Sequence, residues 1–440
     1  MARVFCTLVV WGMLFAQSTP VPAPPGAFAL VGARIIPING EEIEKGTLVV
    51  EGGRITAVGK ADAVTVPAGA ERVDVTGKVI MPGLVDTHNH IGGIGGADSS
   101  GPIQPDIRIY DSLNPLDGGF RRAVAGGLTT LNIMPGSGHL LSGQTVYVKL
   151  RGGRVIEDLF IRDAAGAPMG GMKMANGTNS IREPPFPGTR GKSAALVREQ
   201  YVKAQEYRDK MKRNADDADK RPARDLAMEG LVEVLDRKRM VHHHTHRADD
   251  IMTVLRLSRE FGFRVVLHHV TEAWKVADEI ARAGVPCSVI VVDSPGGKLE
   301  AKEIRFSTCA VLEKAGVKVA IHTDDWINDS RLFLRCAAIA VRGGMTRAGA
   351  LRALTQAGAE MLDLGDRIGS LEKGKEADFV ILSGDPFSVY TKVLQTWVEG
   401  RKVFDRDLPD DRLHAVGGWG AGNDQVPYFC CFDGHAGDGQ

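Results

Sequence analysis

The sequence has no excess of either charge: 54 Lys and Arg face 54 Asp and Glu in 440 residues. A nucleic-acid binder needs a basic surplus to displace the counterions of the phosphates, so that class is excluded. Membrane-spanning runs are missing too. Mean hydropathy is −0.09, which excludes a polytopic membrane protein, and the apolar run at residues 5–16 is too short to cross a bilayer. Cysteine is scarce, at six. Cys6 lies in the N-terminal segment. The others are Cys287, Cys309, Cys336, Cys430 and Cys431, an odd set at irregular spacing that supports no disulfide framework. Disorder is excluded as well, because 43% of residues are apolar and only 25% are charged.

The N-terminal end reads as an export signal over residues 1–18. Arg3 gives it a positive start, residues 5–16 an apolar centre, and Ala16-Gln17-Ser18 small residues for cleavage. A proline-rich linker at 19–26 follows and is expected to be extended. The protein is therefore expected to be exported, to a periplasm or to the medium, with no membrane span after the signal is removed. Cys430 and Cys431 fall in a Gly/Asp-rich end, and the whole of 406–440 is expected to be a flexible tail. Glycine is abundant, 53 residues, which suits many tight turns.

Between these ends the pattern changes twice. Residues 27–80 carry short β-branched runs broken by Asn-Gly and Gly-Gly turns, and 366–405 carry two more runs around Ser383-Gly384-Asp385-Pro386. These pieces predict one small β-sandwich domain built from both ends of the chain. Residues 81–365 alternate apolar runs, at 83–86, 128–134, 265–267, 289–292 and 317–321, with helical patterns at 247–261, 272–283, 301–315 and 328–342. Repeated βα order predicts an α/β fold with a parallel sheet covered on both faces, a (β/α)8 barrel by length. Residues 192–240 are expected to form long, charged helices in a solvated insertion, polar throughout 210–224.

Metal-ligating residue types gather where the apolar runs end. His88 and His90 stand two apart, on one face of a strand. Downstream come His242-His243-His244-Thr245-His246, His268-His269 and His322-Thr323-Asp324-Asp325. His88 and His244 are 156 residues apart, or 39 for each of four βα units. That spacing puts the ligand strands first, fifth, sixth and eighth, with their tips at the end of a barrel where active sites form. Imidazole and carboxylate suit a divalent first-row ion such as zinc. Alternation leaves His244 and His246 as competitors at the fifth strand, and His268 competes with His269 at the sixth.

Residues 83–90, His244-Thr245-His246-Arg247-Ala248-Asp249-Asp250, His269-Val270-Thr271-Glu272, His322-Thr323-Asp324-Asp325 and 369–378 together resemble the amidohydrolase superfamily, most closely its imidazolonepropionase-related branch. The resemblance covers roughly residues 27–405. It implies a metal-dependent hydrolase of a C–N bond in an amide or cyclic amide, acting on a small-molecule substrate and often homo-oligomeric. It matches His88, His90, His244, His269 and Asp324 to metal ligands, with Asp324 also taking and returning the proton. Lys173, in Gly171-Met172-Lys173-Met174, matches a lysine that is carboxylated and bridges two ions in some members. Thr178 departs from the acidic residue expected nearby, so one ion or two stays open. His139 (in Gly136-Ser137-Gly138-His139), Arg247 and His322 are candidates for contact with substrate, Arg247 through a bidentate grip on a carboxylate.

Two other functions compete. The same centre suits a dipeptidase or carboxypeptidase-like activity, or a lactone or phosphoester hydrolase. A non-enzymatic protein binding metal through residues 242–246 is the third reading, disfavoured because the ligand types are spread over four strands rather than gathered in one tract. The glycines at 92–96 lack the strand-GxGxxG-helix context of a nucleotide site.

Overall fold

A computed structural model describes residues 26–93, 98, 100–292, 298–325, 327–417 and 421. The export segment 1–18, most of the 19–26 linker, and Cys430 and Cys431 lie outside them.

Five strands open the chain: β1 (Phe28–Ile35), β2 (Ile43–Glu51), β3 (Arg54–Lys60), β4 (Glu71–Asp74) and β5 (Val79–Pro82). Nine follow in the middle: β6 (Leu84–Asn89), β7 (Leu128–Ile133), β8 (Leu141–Gln144), β9 (Val146–Lys149), β10 (Met172–Ala175), β11 (Val241–Thr245), β12 (Val265–His269), β13 (Cys287–Ile290) and β14 (Val319–His322). Three close it: β15 (Phe379–Leu382), β16 (Val393–Val398) and β17 (Arg401–Asp405).

The first five strands and the last three form one sheet, in the order β17-β16-β15-β5-β1-β2-β3 with β4 on the edge of β1. The join is β5 against β15, antiparallel, with Ile80 opposite Ile381. Alternating side chains put Leu30, Ile35, Leu48, Val50, Ile55, Ile80, Phe379 and Ile381 into one core. Each of the larger ones contributes about 1.5–3 kcal/mol by burial. Gly46 is needed there, because a Cβ would sit 2.5 Å from Ile35 Cδ1.

The middle strands run β14-β13-β12-β11-β10-β8 in one sheet and β6-β7-β9 in another. β10 to β14 are parallel neighbours, and so are β6 and β7. Every residue of β10, β11, β12, β13 and β14 is buried, as a sheet covered on both faces requires. The Asp324 N–H donates to the His88 carbonyl at 3.0 Å, which brings the tip of the last strand against the first.

One place in the order departs from the regular βα alternation. β9 is antiparallel to β7, and β8 is antiparallel to β10. A parallel crossover needs a dozen or more residues, and only seven separate β7 from β8. The chain therefore turns back and fills the third place in reverse.

The insertion is helical, as expected, but it is not wholly solvated. Helix Arg190–Arg213 buries Val197, Tyr201 and Ala204, while 210–224 stays largely exposed. The expected flexible tail is also corrected in part. Residues Pro409–Val416 form a helix, with proline at its start and Asp410 and Asp411 in its first turn. Asp411 accepts from the Asp405 N–H at 2.8 Å and from Arg121 at 3.0 Å, which pins the helix to the body.

A buried ion cluster locks the two units together. Lys149 of β9 reaches both Glu376 and Asp378, on the segment leading into β15. Arg367 bonds the other oxygen of Glu376 at 2.8 Å. Among the described residues no helix is long and apolar enough to cross a membrane.

Candidate metal centre and active site

The sequence brings histidines to strand tips in two ways. On β6 and just past it, simple alternation sets His88 and His90 side by side, with their Nε2 atoms 3.1 Å apart. On β12 alternation alone would send His268 and His269 to opposite faces. His269 instead adopts φ +68° and Val270 φ +46°. That left-handed step, strained for these residue types, turns both rings toward the same interior. Asp324 takes the same kind of step at φ +52°.

His88, His90 and Asp324 converge. Asp324 Oδ1 lies 3.1 Å from His90 Nε2 and 3.5 Å from His88 Nε2. Lys173, on β10, places its Nζ 3.1 Å from His88 Nε2. His269 Nδ1 is 3.8 Å from Asp324 Oδ2, and His88, His269 and Asp324 offer ligand atoms all within 4.8 Å of one another. His244 meets His269 edge-on, ring centres 4.3 Å apart. The side chain of Asp324 is 18% exposed against 0% for His88 and 9% for His90, so the group opens toward solvent at the carboxylate.

Asp86 braces this arrangement from behind. It accepts from the Thr323 hydroxyl and N–H on the last strand tip and from the His88 N–H on its own strand. His90 Nδ1 is held by the Met134 carbonyl at 2.8 Å, which leaves Nε2 as its ligand atom.

Three donor atoms in the group have no partner: both ring nitrogens of His244 and Nε2 of His269. A buried polar atom left unpaired costs about 1–3 kcal/mol. Neutral imidazole nitrogens beside a carboxylate are the donors a divalent cation takes, so these residues fit one. Burial keeps the rings neutral. It pushes His242 and His322 down to about 3 and His246 to about 4, and holds His88, His244, His268 and His269 well below the usual value. Burial also brings the Lys173 ammonium down to about 7. At Asp324 burial pushes upward. The His90 hydrogen bond and the positive charge of Lys173 outweigh it, so the carboxyl lies below its ordinary range.

The remaining expected residues land in different places. His322 is inside the group, with Nε2 3.1 Å from His269 Nδ1 and Nδ1 fixed by Ser288 at 2.8 Å. His246 bonds Thr271 at 2.7 Å and lies in contact with His244. His268 sits between His88 and His242, and the middle histidine of the run, His243, turns to the His244 carbonyl. His139 is buried elsewhere, against Phe186 and 3.4 Å from Arg182. Arg247 is exposed at the start of helix Ala248–Phe261 and grips Asp249 at 2.9 and 3.0 Å. That ion pair occupies the fork expected to hold a substrate carboxylate.

The sequence reading passed over Tyr147, Asp86, Ser288 and Glu300. Glu300 follows β13, a strand that shows no ligand of its own. Its Oε2 accepts from the Thr178 N–H at 2.8 Å, its Oε1 is buried without a partner, and it lies within ligand reach of His244 and His246. Asp86 was legible in principle, since it shares a strand face with His88.

Comparison with known proteins settles the family. The sequence matches the amidohydrolase family over residues 79–403. The chain belongs to the amidohydrolase family. Within the family it is similar to an amidohydrolase of Thermotoga maritima MSB8 of known structure, 33% identical with a TM-score of 0.79, covering 86% of this chain and 100% of that one. It is 26% identical over 402 residues to the imidazolonepropionase of Rhizobium rhizogenes, 80% of this chain and 90% of the relative. It is 28% identical over 403 residues to an amidohydrolase of Hapsidospora irregularis, where it spans 41% of that protein's length. A zinc-bound adenosine deaminase of Xanthomonas campestris, 22% identical with a TM-score of 0.52, shares the fold.

Proposed function

We propose that this amidohydrolase is a metal-dependent hydrolase of a C–N bond in a small amide or cyclic amide. The observation that carries the reading is the meeting of His88, His90 and Asp324 at 3.1–3.5 Å, beside the unpartnered nitrogens of His244 and His269. In it, His88, His90 and Asp324 hold a cation, and His244 and His269 complete the set. If carboxylated, Lys173, whose Nζ lies 3.1 Å from His88 Nε2, would add a further oxygen ligand. Four imidazoles and one carboxylate favour zinc.

A divalent ion held there lowers the pKa of water toward 7 and polarises a carbonyl. Asp324 does the proton work. Its depressed pKa keeps it ionised at neutral pH, so it accepts a proton from the attacking water and returns it to the departing nitrogen. His90 orients that carboxylate through their shared contact. The left-handed backbone at Asp324 and the bond from its N–H to the His88 carbonyl fix where the carboxylate sits. The apolar run 5–16 supports export as part of the same proposal.

The test is elemental analysis of the purified chain together with a panel of amides, cyclic amides and esters. Metal near one or two equivalents and turnover of an amide support the reading. A metal-replete protein that cleaves esters and no amide would overturn the C–N assignment. Full metal content in His88→Ala would overturn the centre itself.

A further inference from the structure

His88 turns its second nitrogen away from the cluster and into the wall. His88 Nδ1 lies 3.2 Å from His268 Nδ1. His268 Nε2 lies 2.9 Å from His242 Nδ1, and His242 Nε2 lies 2.9 Å from the Tyr147 hydroxyl. All four side chains are buried. The row runs from the strand tip of β6 through β12 and β11 to Tyr147 on β9. Gly171 makes room for it, since a Cβ there would stand 2.2 Å from His242 Cδ2.

A neutral imidazole has one N–H and one lone pair. Each contact between two ring nitrogens needs one donor and one acceptor, so the choice made at one ring dictates the next. Two proton orders satisfy the whole row. In the inward order Tyr147 donates, each ring passes its proton toward His88, and His88 Nε2 carries a hydrogen. That atom then has no lone pair for a cation. In the outward order His88 Nδ1–H donates to His268, His268 Nε2–H to His242, and His242 Nε2–H to the phenol oxygen. His88 Nε2 is then free. A hydroxyl at the end of the row can donate in the first order and accept in the second.

We propose that Tyr147, His242 and His268 position His88 by setting its tautomer, so that a divalent cation at His88 Nε2 fixes the proton order of the entire row outward to Tyr147. The inference rests on His88 being a cation ligand. In this arrangement His268 and His242 are positioning residues that act through His88; because His88, His268 and His322 also offer ligand atoms within 4.8 Å of one another, His268 as a direct ligand is the competing outcome of the test. Partners in this position typically change metal affinity by about 10–100-fold when removed.

The test uses the full chain labelled with nitrogen-15 in histidine, and NMR correlations that report which ring nitrogen carries the proton, before and after zinc is added. With zinc, His268 and His242 are expected to carry it on Nε2. A proton on His268 Nδ1 in the zinc-loaded protein would overturn the inference. Chelator competition gives an independent reading. His268→Leu is expected to weaken zinc binding by about 10–100-fold. His268→Asn, whose oxygen can accept from His88 Nδ1–H, is expected to keep most of the affinity. Equal loss in both variants would make His268 a ligand itself and defeat the proposal, and if either variant fails to fold the NMR experiment still decides. His88→Ala separates the two levels. Zinc retained in that variant removes the reading on which the inference rests. Zinc lost there, with tautomers in the parent chain that do not follow the outward order, sinks the inference alone.

Discussion

At the scale of single residues, side chains that sit far apart in sequence take roles through their local backbone. Asp324→Asn should lower kcat by about 100-fold or more, the usual scale for a general base. Its circular dichroism should stay unchanged, because asparagine fills the same volume and tolerates the same left-handed φ. A variant with full turnover would remove Asp324 from proton transfer. Arg247→Ala should leave KM within about twofold, because the side chain faces solvent and holds Asp249, an exposed pair worth about 0–1 kcal/mol. A steady-state comparison on the best substrate checks this, and a tenfold rise in KM would return Arg247 to the site. His88 and His90 were legible in the sequence because a strand repeats every two residues. The choice between His268 and His269 was not, because φ +68° at His269 cancels that repeat and brings both rings inward. Asp324 was readable by its motif, but not the bend that aims it.

At the scale of elements, the run from β8 to β9 carries the largest consequences. On β9, Tyr147 reaches the histidines and Lys149, two residues on, reaches the carboxylates leading into β15. Strand propensity marks 141–149 as extended but says nothing of its direction, which follows from a connection too short for a helix. Lys149→Ala should destabilise the protein by about 3–5 kcal/mol, because it leaves Glu376 and Asp378 buried without their cation. Urea unfolding measures this directly, and a loss under 1 kcal/mol would mean that Arg367 alone suffices. The helix Pro409–Val416 was missed because its eight residues follow a loop in a stretch whose glycine content suggested disorder. Its proline start and two acidic residues in the first turn were the signal available.

For the whole molecule, the joining of both chain ends into one sheet was the most legible feature, since β-branched runs and turn residues mark both ends. A chain stopped before Phe379 loses β15, β16 and β17, and with them Phe379, Ile381, Leu394 and Trp397 from the core that seals β1, β2 and β5. It should accumulate in the insoluble fraction, and a soluble monomer of that length would show that the sheet is dispensable. Acid should also loosen the joint between the units. Burial pushes Glu376 upward, but Lys149 and Arg367 bring it down to about 2. A group with a depressed folded-state pKa adds stability above its unfolded value, about 4.3, and loses it as pH falls toward the folded one. Stability measured by chemical denaturation should therefore decline between about pH 4.3 and 2, and this part of the decline should vanish in Glu376→Gln.

The bond from the Asp324 N–H to the His88 carbonyl ties together two positions that leave the ribosome far apart in time. At about 5–20 residues per second, the 236 residues between them take on the order of 10–50 s to synthesise. A growing chain thus shows its first histidine pair long before the carboxylate exists. The full set of candidate ligands therefore exists only once residue 324 has been made.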